Sequence, residues 1–302
     1  MTDFTREILE KWQVRKTAAQ KTAFIERMQR EYPELQVEGD RGCRNLVIGD
    51  VDSAELVLTA HYDTCARMPL PNVVVPQSAL LSLLYGFVIV IPMLLLAVLS
   101  GFGINLLTLA LGMDESSALM IGNLAYLGVL FLLLALIYVG PANPHTVNDN
   151  TSGVITLIEL LSTLTEEQRQ KVAFVFFDKE ELGLVGSTQF RKLHRDTART
   201  MRLINFDCVS DGDTIAVICA RAVPEEEKER LQAAFEATDG KRVLVTRRMF
   251  YPSDHRHFPL GVGVAALKGK KLLYLDRIHT KRDTVLDEAN IRLLVSVIAR
   301  LV

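Results

Sequence analysis

The sequence predicts an α/β fold in three layers, an α/β/α sandwich with a mixed, mostly parallel sheet, interrupted by a two-helix transmembrane hairpin. Two observations predict the sandwich. Short apolar segments alternate with amphipathic helical segments, as in folds built around a parallel sheet. Residues 171–177 (KVAFVFF) form a continuous apolar run, which is typical of a strand buried on both faces. A third observation, an almost uncharged central stretch, predicts the interruption.

The central stretch is nearly free of charge. Lys and Arg number 34 and Asp and Glu number 36, yet only Asp114 and Glu115 fall within residues 68–148. Residues 78–100 and 118–140 contain no charge, and about 20 helical residues suffice to cross a hydrocarbon core about 30 Å thick. We therefore expect a hairpin in the lipid bilayer. A buried helical pair in a large soluble core is the alternative. A third interpretation is a hydrophobic hairpin that contacts other copies of this chain, which leaves a homo-oligomer as a possibility.

The distribution of positive charge predicts the orientation. The connector between the spans has no Lys or Arg, whereas Arg67 precedes the first span. The positive-inside rule then places the connector outside and both flanks in the cytoplasm. The charged N-terminus lacks the apolar core of a signal peptide. We expect a two-span protein of the inner (cytoplasmic) membrane whose folded domain lies in the cytoplasm.

Composition excludes other classes. The formal net charge is −2, which offers no footprint for a polyanion, so no nucleic acid partner is expected. The four cysteines show no close spacing, which argues against a zinc knuckle and against a disulfide framework.

The flanks predict one discontinuous domain, residues 1–68 and 141–302, around the insertion 69–140. Its N-terminal part is helical over residues 2–32, with a break near 16–20, and residues 141–150 form a loop. Patterns of two-residue and 3.6-residue period predict the remaining elements. The strands are 44–49, 55–60, 171–177, 201–207, 214–219, 243–245, 264–266 and 272–274, and the helices are 151–164, 184–194, 224–237 and 287–302.

Polar side chains that can bind metal follow three of these strands. His61 and Asp63 come after the strand ELVLTA, Glu180 and Glu181 come after KVAFVFF, and Asp207 ends RLINFD. An i, i+2 pair lies on one face of a strand, so one residue can bind a metal while the other orients it. Strand carboxyl ends are where α/β sheets carry their sites.

Two further candidates lie in loops. Asp149 precedes a helix and His279 follows a late strand. Each candidate alone has an ordinary interpretation: a helix cap, a solvated loop or a structural histidine. Together, two histidines and three carboxylates, with a spare glutamate, suit two divalent ions such as zinc.

Six motifs in this order carry a resemblance: TAHYDT, NDNTSG, FDKEELGLVGS, NFD, SDHRHF and IHTKRDT. The chain resembles the zinc-dependent aminopeptidase family that includes bacterial leucyl aminopeptidase, glutamate carboxypeptidase and glutaminyl cyclase. The motifs cover both flanks, and the hairpin has no counterpart in the soluble members. The resemblance implies a sandwich of the zinc exopeptidase type and a peptide substrate.

The resemblance also implies a metal centre. His61 and Glu181 would be terminal ligands of different ions, and Asp149 would bridge the two ions. Asp207 and His279 would complete the two coordination spheres. The implied cofactor is two Zn²⁺, for which manganese or cobalt could substitute.

Catalytic roles follow from the same resemblance. Glu180 would be the general base, taking a proton from the metal-bridging water and passing it to the leaving amine. Asp63 would hydrogen-bond His61. Tyr251 lies near the position of a family tyrosine that assists the oxyanion, and Asp254 and His255 would shape the substrate pocket.

These expectations combine into a membrane-anchored dinuclear zinc exopeptidase, foremost an aminopeptidase acting at the cytoplasmic membrane face. Because the insertion lies between Asp63 and Asp149, the mouth of the site is expected to face the bilayer. A glutaminyl cyclase is an alternative, but an intact His61 favours two zinc ions. A carboxypeptidase or dipeptidase stays open. A non-enzymatic membrane scaffold is disfavoured because every ligand position is filled.

Overall fold

The computed structural model describes residues 1–40, 42–68, 70–236 and 241–302. Within these ranges the strands are β1 Gln36–Glu38, β2 Asn45–Ile48, β3 Leu56–His61, β4 Val172–Phe177, β5 Leu203–Phe206, β6 Thr214–Cys219, β7 Arg242–Thr246 and β8 Gly261–Leu267. The helices are α1 Asp3–Lys11, α2 Ala18–Glu31, α3 Ala79–Ala110, α4 Glu115–Val139, α5 Ser152–Thr163, α6 Glu166–Arg169, α7 Val185–Leu193, α8 Glu225–Glu236 and α9 Glu288–Leu301.

All described strands belong to one sheet, in the order β1-β2-β4-β3-β5-β8-β6-β7. The central strands β4, β3, β5 and β8 run parallel, whereas β2 and β6 are antiparallel to their central neighbours. The predicted mixed, mostly parallel sheet is confirmed. The register pairs His61 with Phe177, so the carboxyl ends of β3 and β4 lie side by side.

Alternate side chains of the strands pack on opposite faces of the sheet, as the strand period requires. On one face Leu58 belongs to an apolar cluster with Ile155 of α5 and Leu294 of α9. On the other face Val57 belongs to a cluster with Phe190 of α7. Helices therefore cover both faces, which confirms the predicted three-layer architecture.

Two predictions about strands differ from the structure. The predicted strand 272–274 is wrong, because Tyr274 and Leu275 form only isolated bridges, to Lys268 and Val74. Strand β1 was not predicted, since its three residues are too few to show a period. The other predicted strands are present, with bounds that shift by up to three residues.

The insertion forms two antiparallel helices that are long and apolar enough to cross a membrane, judged by length and composition alone. The helix α3 continues past the predicted end of the first span at residue 100 to Ala110, so residues 111–114 connect the two helices. The bounds of the span itself stay a prediction. Gly101 does not break the helix but allows close contact with α4. A Cβ atom at Gly101 would lie 2.8 Å from the carbonyl oxygen of Gly122.

The base of the hairpin is attached at the edge of the sheet where β3 ends. The main-chain N–H of Arg67 donates to the carbonyl of Pro141 at 2.8 Å, and that of Asn143 donates to the carbonyl of Cys65 at 3.2 Å. Farther out, large apolar side chains on both helices face outward, such as Leu99 and Phe131, which are 65% and 66% exposed.

Candidate active site

Three adjacent strands deliver four of the predicted site residues to one edge of the sheet. His61 is the last residue of β3, Glu180 and Glu181 follow β4, and Asp207 directly follows β5. Because β3 lies between β4 and β5 and all three are parallel, their carboxyl ends meet. The structure therefore brings together residues that are up to 146 positions apart in the chain.

Asp149 lies between the two predicted histidine ligands. Its Oδ1 is 3.3 Å from Nε2 of His61, and its Oδ2 is 3.1 Å from Nε2 of His279. Asp207 Oδ1 lies 3.7 Å from the same nitrogen of His61, and Glu181 Oε2 lies 3.2 Å from that of His279. The five side chains thus lie in one cluster in which Asp149 contacts both histidines. Their assignment to two metal ions stays a prediction.

Glu180 and Asp63 lie beside the His61 group. Glu180 Oε2 is 4.0 Å from Nε2 of His61. The Asp63 carboxylate accepts the main-chain N–H groups of Glu180 at 2.9 Å and of Glu181 at 3.3 Å. His61 Nδ1 lies 3.1 Å from the main-chain oxygen of Asp63 but 3.6 Å from its carboxylate, beyond hydrogen-bond distance. Asp63 therefore positions the two glutamates more directly than the imidazole.

Burial and charge shift the pKa values of these groups in opposite directions. Burial raises the pKa of the Glu180 carboxyl and that of the Glu181 carboxyl. Burial lowers the pKa of His61, but the charge of Glu180 and contact with Asp149 outweigh it and hold that pKa well above its ordinary value. For Asp149, burial raises the pKa and the two histidines more than reverse this effect. The site is a buried, acid-rich cluster that attracts cations.

The donor set fits divalent metal ions. Glu181 Oε1 is buried and has no hydrogen-bond partner in the described part of the chain. Ligand atoms of His61, Asp149 and Glu181 all lie within 4.8 Å of one another. Imidazole nitrogens and carboxylate oxygens are ligands of zinc and related ions.

Cysteine is the remaining donor type near this cluster. Cys65 Sγ forms a similar group with Glu181 and His279, but burial raises the pKa of that thiol, which disfavours the thiolate that a metal needs. Histidine and carboxylate are therefore the better-suited donors of the site.

The comparisons with known proteins agree with this geometry. The sequence model of peptidase family M28 matches residues 137–302, more than half of the chain. The chain belongs to peptidase family M28. It is accordingly a metallopeptidase, and the resemblance inferred from its motifs is confirmed. The matched region includes Asp149 and His279, and His61 and Asp63 precede it.

Solved structures share the fold of this M28 peptidase. LapA of Legionella pneumophila is 14% identical, with a TM-score of 0.53 over 98% of this chain and 69% of LapA. The dodecameric PhTET1-12s is 11% identical, with a TM-score of 0.52 over 100% and 99% of the two chains. Fimbriiglobus ruber glutaminyl cyclase is 13% identical, with a TM-score of 0.52 over 98% and 93%. No curated protein matches the sequence.

Three residues predicted to shape the pocket of the M28 peptidase are buried nearby. The Tyr251 hydroxyl donates to the main-chain oxygen of Asp207 at 3.3 Å. Neither carboxylate oxygen of Asp254 has a hydrogen-bond partner among the residues described, and burial raises the pKa of that carboxyl to about 7. His255 packs against Gly263, where a Cβ atom would lie 2.6 Å from its ring, and burial lowers the pKa of His255 to about 4. Their role in substrate binding stays a prediction.

Two supporting residues were missed by sequence reasoning. Asp283 accepts the main-chain N–H groups of Asn148 at 2.7 Å and of Asp149 at 3.0 Å, and burial raises the pKa of its carboxyl to about 7. The Ser253 hydroxyl donates to Asp207 Oδ2 at 2.5 Å. Both residues occur inside quoted motifs, IHTKRDT and SDHRHF, but only the folded chain shows which site residue each one holds.

Proposed function

We propose that this M28 metallopeptidase is a membrane-anchored exopeptidase that binds two zinc ions and removes N-terminal residues from peptides at the cytoplasmic membrane face. The observation that carries the proposal is the position of Asp149, whose two carboxylate oxygens face different histidines, His61 and His279. A carboxylate shared between two imidazole groups is suited to a two-metal hydrolase.

The residues divide into two ligand groups. His61 and Asp207 would hold one ion, His279 and Glu181 would hold the other, and Asp149 would contact both. The bound ions would polarise the scissile carbonyl and lower the pKa of the attacking water. Manganese or cobalt could replace zinc on the same donors.

Glu180 transfers the proton in this proposal. Its carboxylate accepts a proton from the attacking water and delivers it to the leaving amine. Its Oε2 lies 4.0 Å from Nε2 of His61, so the carboxylate is next to one of the proposed ligand groups. Asp63 fixes the main chain of Glu180 and thereby the direction from which the carboxylate approaches.

The hairpin is proposed to anchor one discontinuous catalytic domain, residues 1–68 and 141–302. Outward-facing apolar side chains along α3 and α4 support this, since apolar surfaces of such extent mark membrane or protein contacts. The two charges at the tip are acidic, Asp114 and Glu115, and Arg67 lies at the base. This distribution favours a cytoplasmic catalytic domain. The base and the site share one edge of the sheet, as expected for a site that faces the bilayer.

The test uses detergent-purified protein and a library of peptides with free or blocked N-termini, with metal analysis of the same sample. Cleavage that requires a free N-terminus, with about two zinc ions per chain, supports the proposal. Glu180→Gln should lower kcat by about 10²–10⁴-fold at unchanged metal content. Glu167→Gln, at an exposed position, is the control.

Other outcomes contradict parts of the proposal. Normal turnover by Glu180→Gln would exclude its role as general base. Cleavage from the C-terminus of blocked peptides would instead indicate a carboxypeptidase. Cyclisation of a peptide with N-terminal glutamine, without hydrolysis, would indicate a glutaminyl cyclase. Release of the protein from membranes by alkaline carbonate would contradict the anchor.

A further inference from the structure

A cavity of about 230 Å³ lies between the proposed metal ligands and the base of the hairpin. Glu181 and His279 contribute to its lining on the side of the metal site. Ile137 and Tyr138, in the last turn of α4, also line it. The insertion therefore supplies part of the wall of this cavity.

Hydrogen bonds hold the end of α4 and the neck of the hairpin in this position. Lys16 Nζ donates to the main-chain oxygen of Tyr138 at 2.8 Å. The neck consists of the two chain segments that join the hairpin to the domain, residues 65–68 and 141–143. The main-chain N–H of Met68 donates to the carbonyl of His279 at 2.8 Å, and that of Arg67 donates to the carbonyl of Pro141 in the other segment. The neck is thus bonded directly to a proposed metal ligand.

The two lysines of the lining are already engaged. Lys21 pairs with Asp178 at 2.6 Å, and Lys16 is bonded to the end of α4. The side chains left for a substrate side chain to contact are mainly apolar: Ile137, Leu182 and Met68, with the ring of Tyr138. A dry cavity of about 150 Å³ holds one benzene molecule, so this cavity has room for one leucine or phenylalanine side chain.

We propose that this cavity is a substrate subsite, formed partly by the hairpin, that takes an apolar side chain next to the scissile bond. The inference rests on the proposed peptidase function and names the substrate class: peptides with an apolar end that lie at the bilayer surface. Tyr138 ends the second apolar span, and tyrosine is enriched at the membrane–water interface. The subsite would therefore open at the depth where apolar peptide ends concentrate.

The test measures binding of labelled peptides to the zinc-loaded, detergent-purified Glu180→Gln protein, in which turnover does not interfere. Peptide pairs carry Leu or Ala at the first or the second residue. We expect the Leu peptide of one pair to bind about 50-fold more tightly than its Ala partner, because three more carbon atoms are buried. The pair that responds identifies which side of the scissile bond occupies the cavity.

Ile137→Phe fills the cavity and should reduce this preference to about twofold or less. Leu136→Phe is the matched control. It changes the same turn of α4, but Leu136 does not line the cavity. Near-ultraviolet circular dichroism of both variants checks that the fold is retained.

Failure of this inference and failure of the proposed function give different results. Equal binding of the Leu and Ala peptides in both pairs overturns the subsite, as does an equal preference in Ile137→Phe and Leu136→Phe. The protein with Glu180 intact could hydrolyse no peptide and still bind the Leu peptide more tightly than the Ala peptide. If Ile137→Phe then removes this preference, the subsite is supported and the proposed peptidase activity is contradicted.

Discussion

Asp63→Asn tests the idea that one buried carboxylate positions the general base. Asp63 is buried, with 4% of the residue exposed. Its carboxylate accepts two main-chain N–H groups, from Glu180 at 2.9 Å and from Glu181 at 3.3 Å. Asparagine keeps only one acceptor oxygen, and its NH₂ group would face one of these donors. One main-chain N–H then loses its partner, at a cost of about 1–3 kcal/mol.

The effect on catalysis should exceed the effect on metal binding. We expect kcat/KM to fall about 10–100-fold, the range for residues that orient a metal site. Metal content should stay close to that of the wild type, since His61 Nδ1 contacts the main-chain oxygen of Asp63, which the substitution retains. Tm should fall by about 2–10 °C for a domain of this size.

The assay combines peptide turnover, metal analysis by mass spectrometry and thermal unfolding on the same preparation. Asp213→Asn removes a carboxylate from an exposed position and serves as the control. Wild-type kcat/KM and Tm in Asp63→Asn would refute the positioning role. Loss of metal in proportion to activity would instead show that Asp63 acts through the metal ligands.

Three further predictions address the hairpin, the metal site and the far edge of the sheet. Gly122→Leu should destabilise the hairpin by about 1–3 kcal/mol, because its Cβ atom would lie 2.8 Å from the carbonyl oxygen of Gly101. Gly128→Leu is the control and should not destabilise it, because a Cβ atom at Gly128 would have no other atom within 4 Å. The Tm in detergent measures both effects. Removal of metal by a chelator should lower Tm, and zinc should restore it, because the acidic cluster loses its counter-charge; an unchanged Tm in metal-free protein would contradict the proposed site. His194 contacts Glu38 at 3.0 Å and Asp52 at 3.1 Å, and these hydrogen bonds, Glu38 first, raise its pKa despite burial. This stabilisation is full below the ordinary histidine pKa and is lost as pH rises through the raised value, so His194→Gln should lower Tm more at pH 5.5 than at pH 9.

Much of the candidate site was predictable because its residues follow apolar strands. The types and order of His61, Glu181 and Asp207 suffice to expect a metal site once parallel strands are assumed. The grouping of ligands was accessible only through the family resemblance, since it depends on strand order and on the turn that carries Asp149. Asp283 could not be singled out because its function consists of contacts to main-chain N–H groups 134 and 135 positions away.

The hairpin shows the same division. Hydropathy is a local property summed along the chain, so the sequence by itself determined that residues 78–140 form two long apolar helices. It did not determine where α3 ends. A glycine such as Gly101 disfavours a helix when only the local sequence is considered, but in the fold it allows close contact with Gly122 inside the helix pair. Only the tertiary structure decided that the end of α4 lines a cavity beside the candidate metal site. That arrangement depends on contacts between distant residues, such as Lys16 with Tyr138, which no local pattern records.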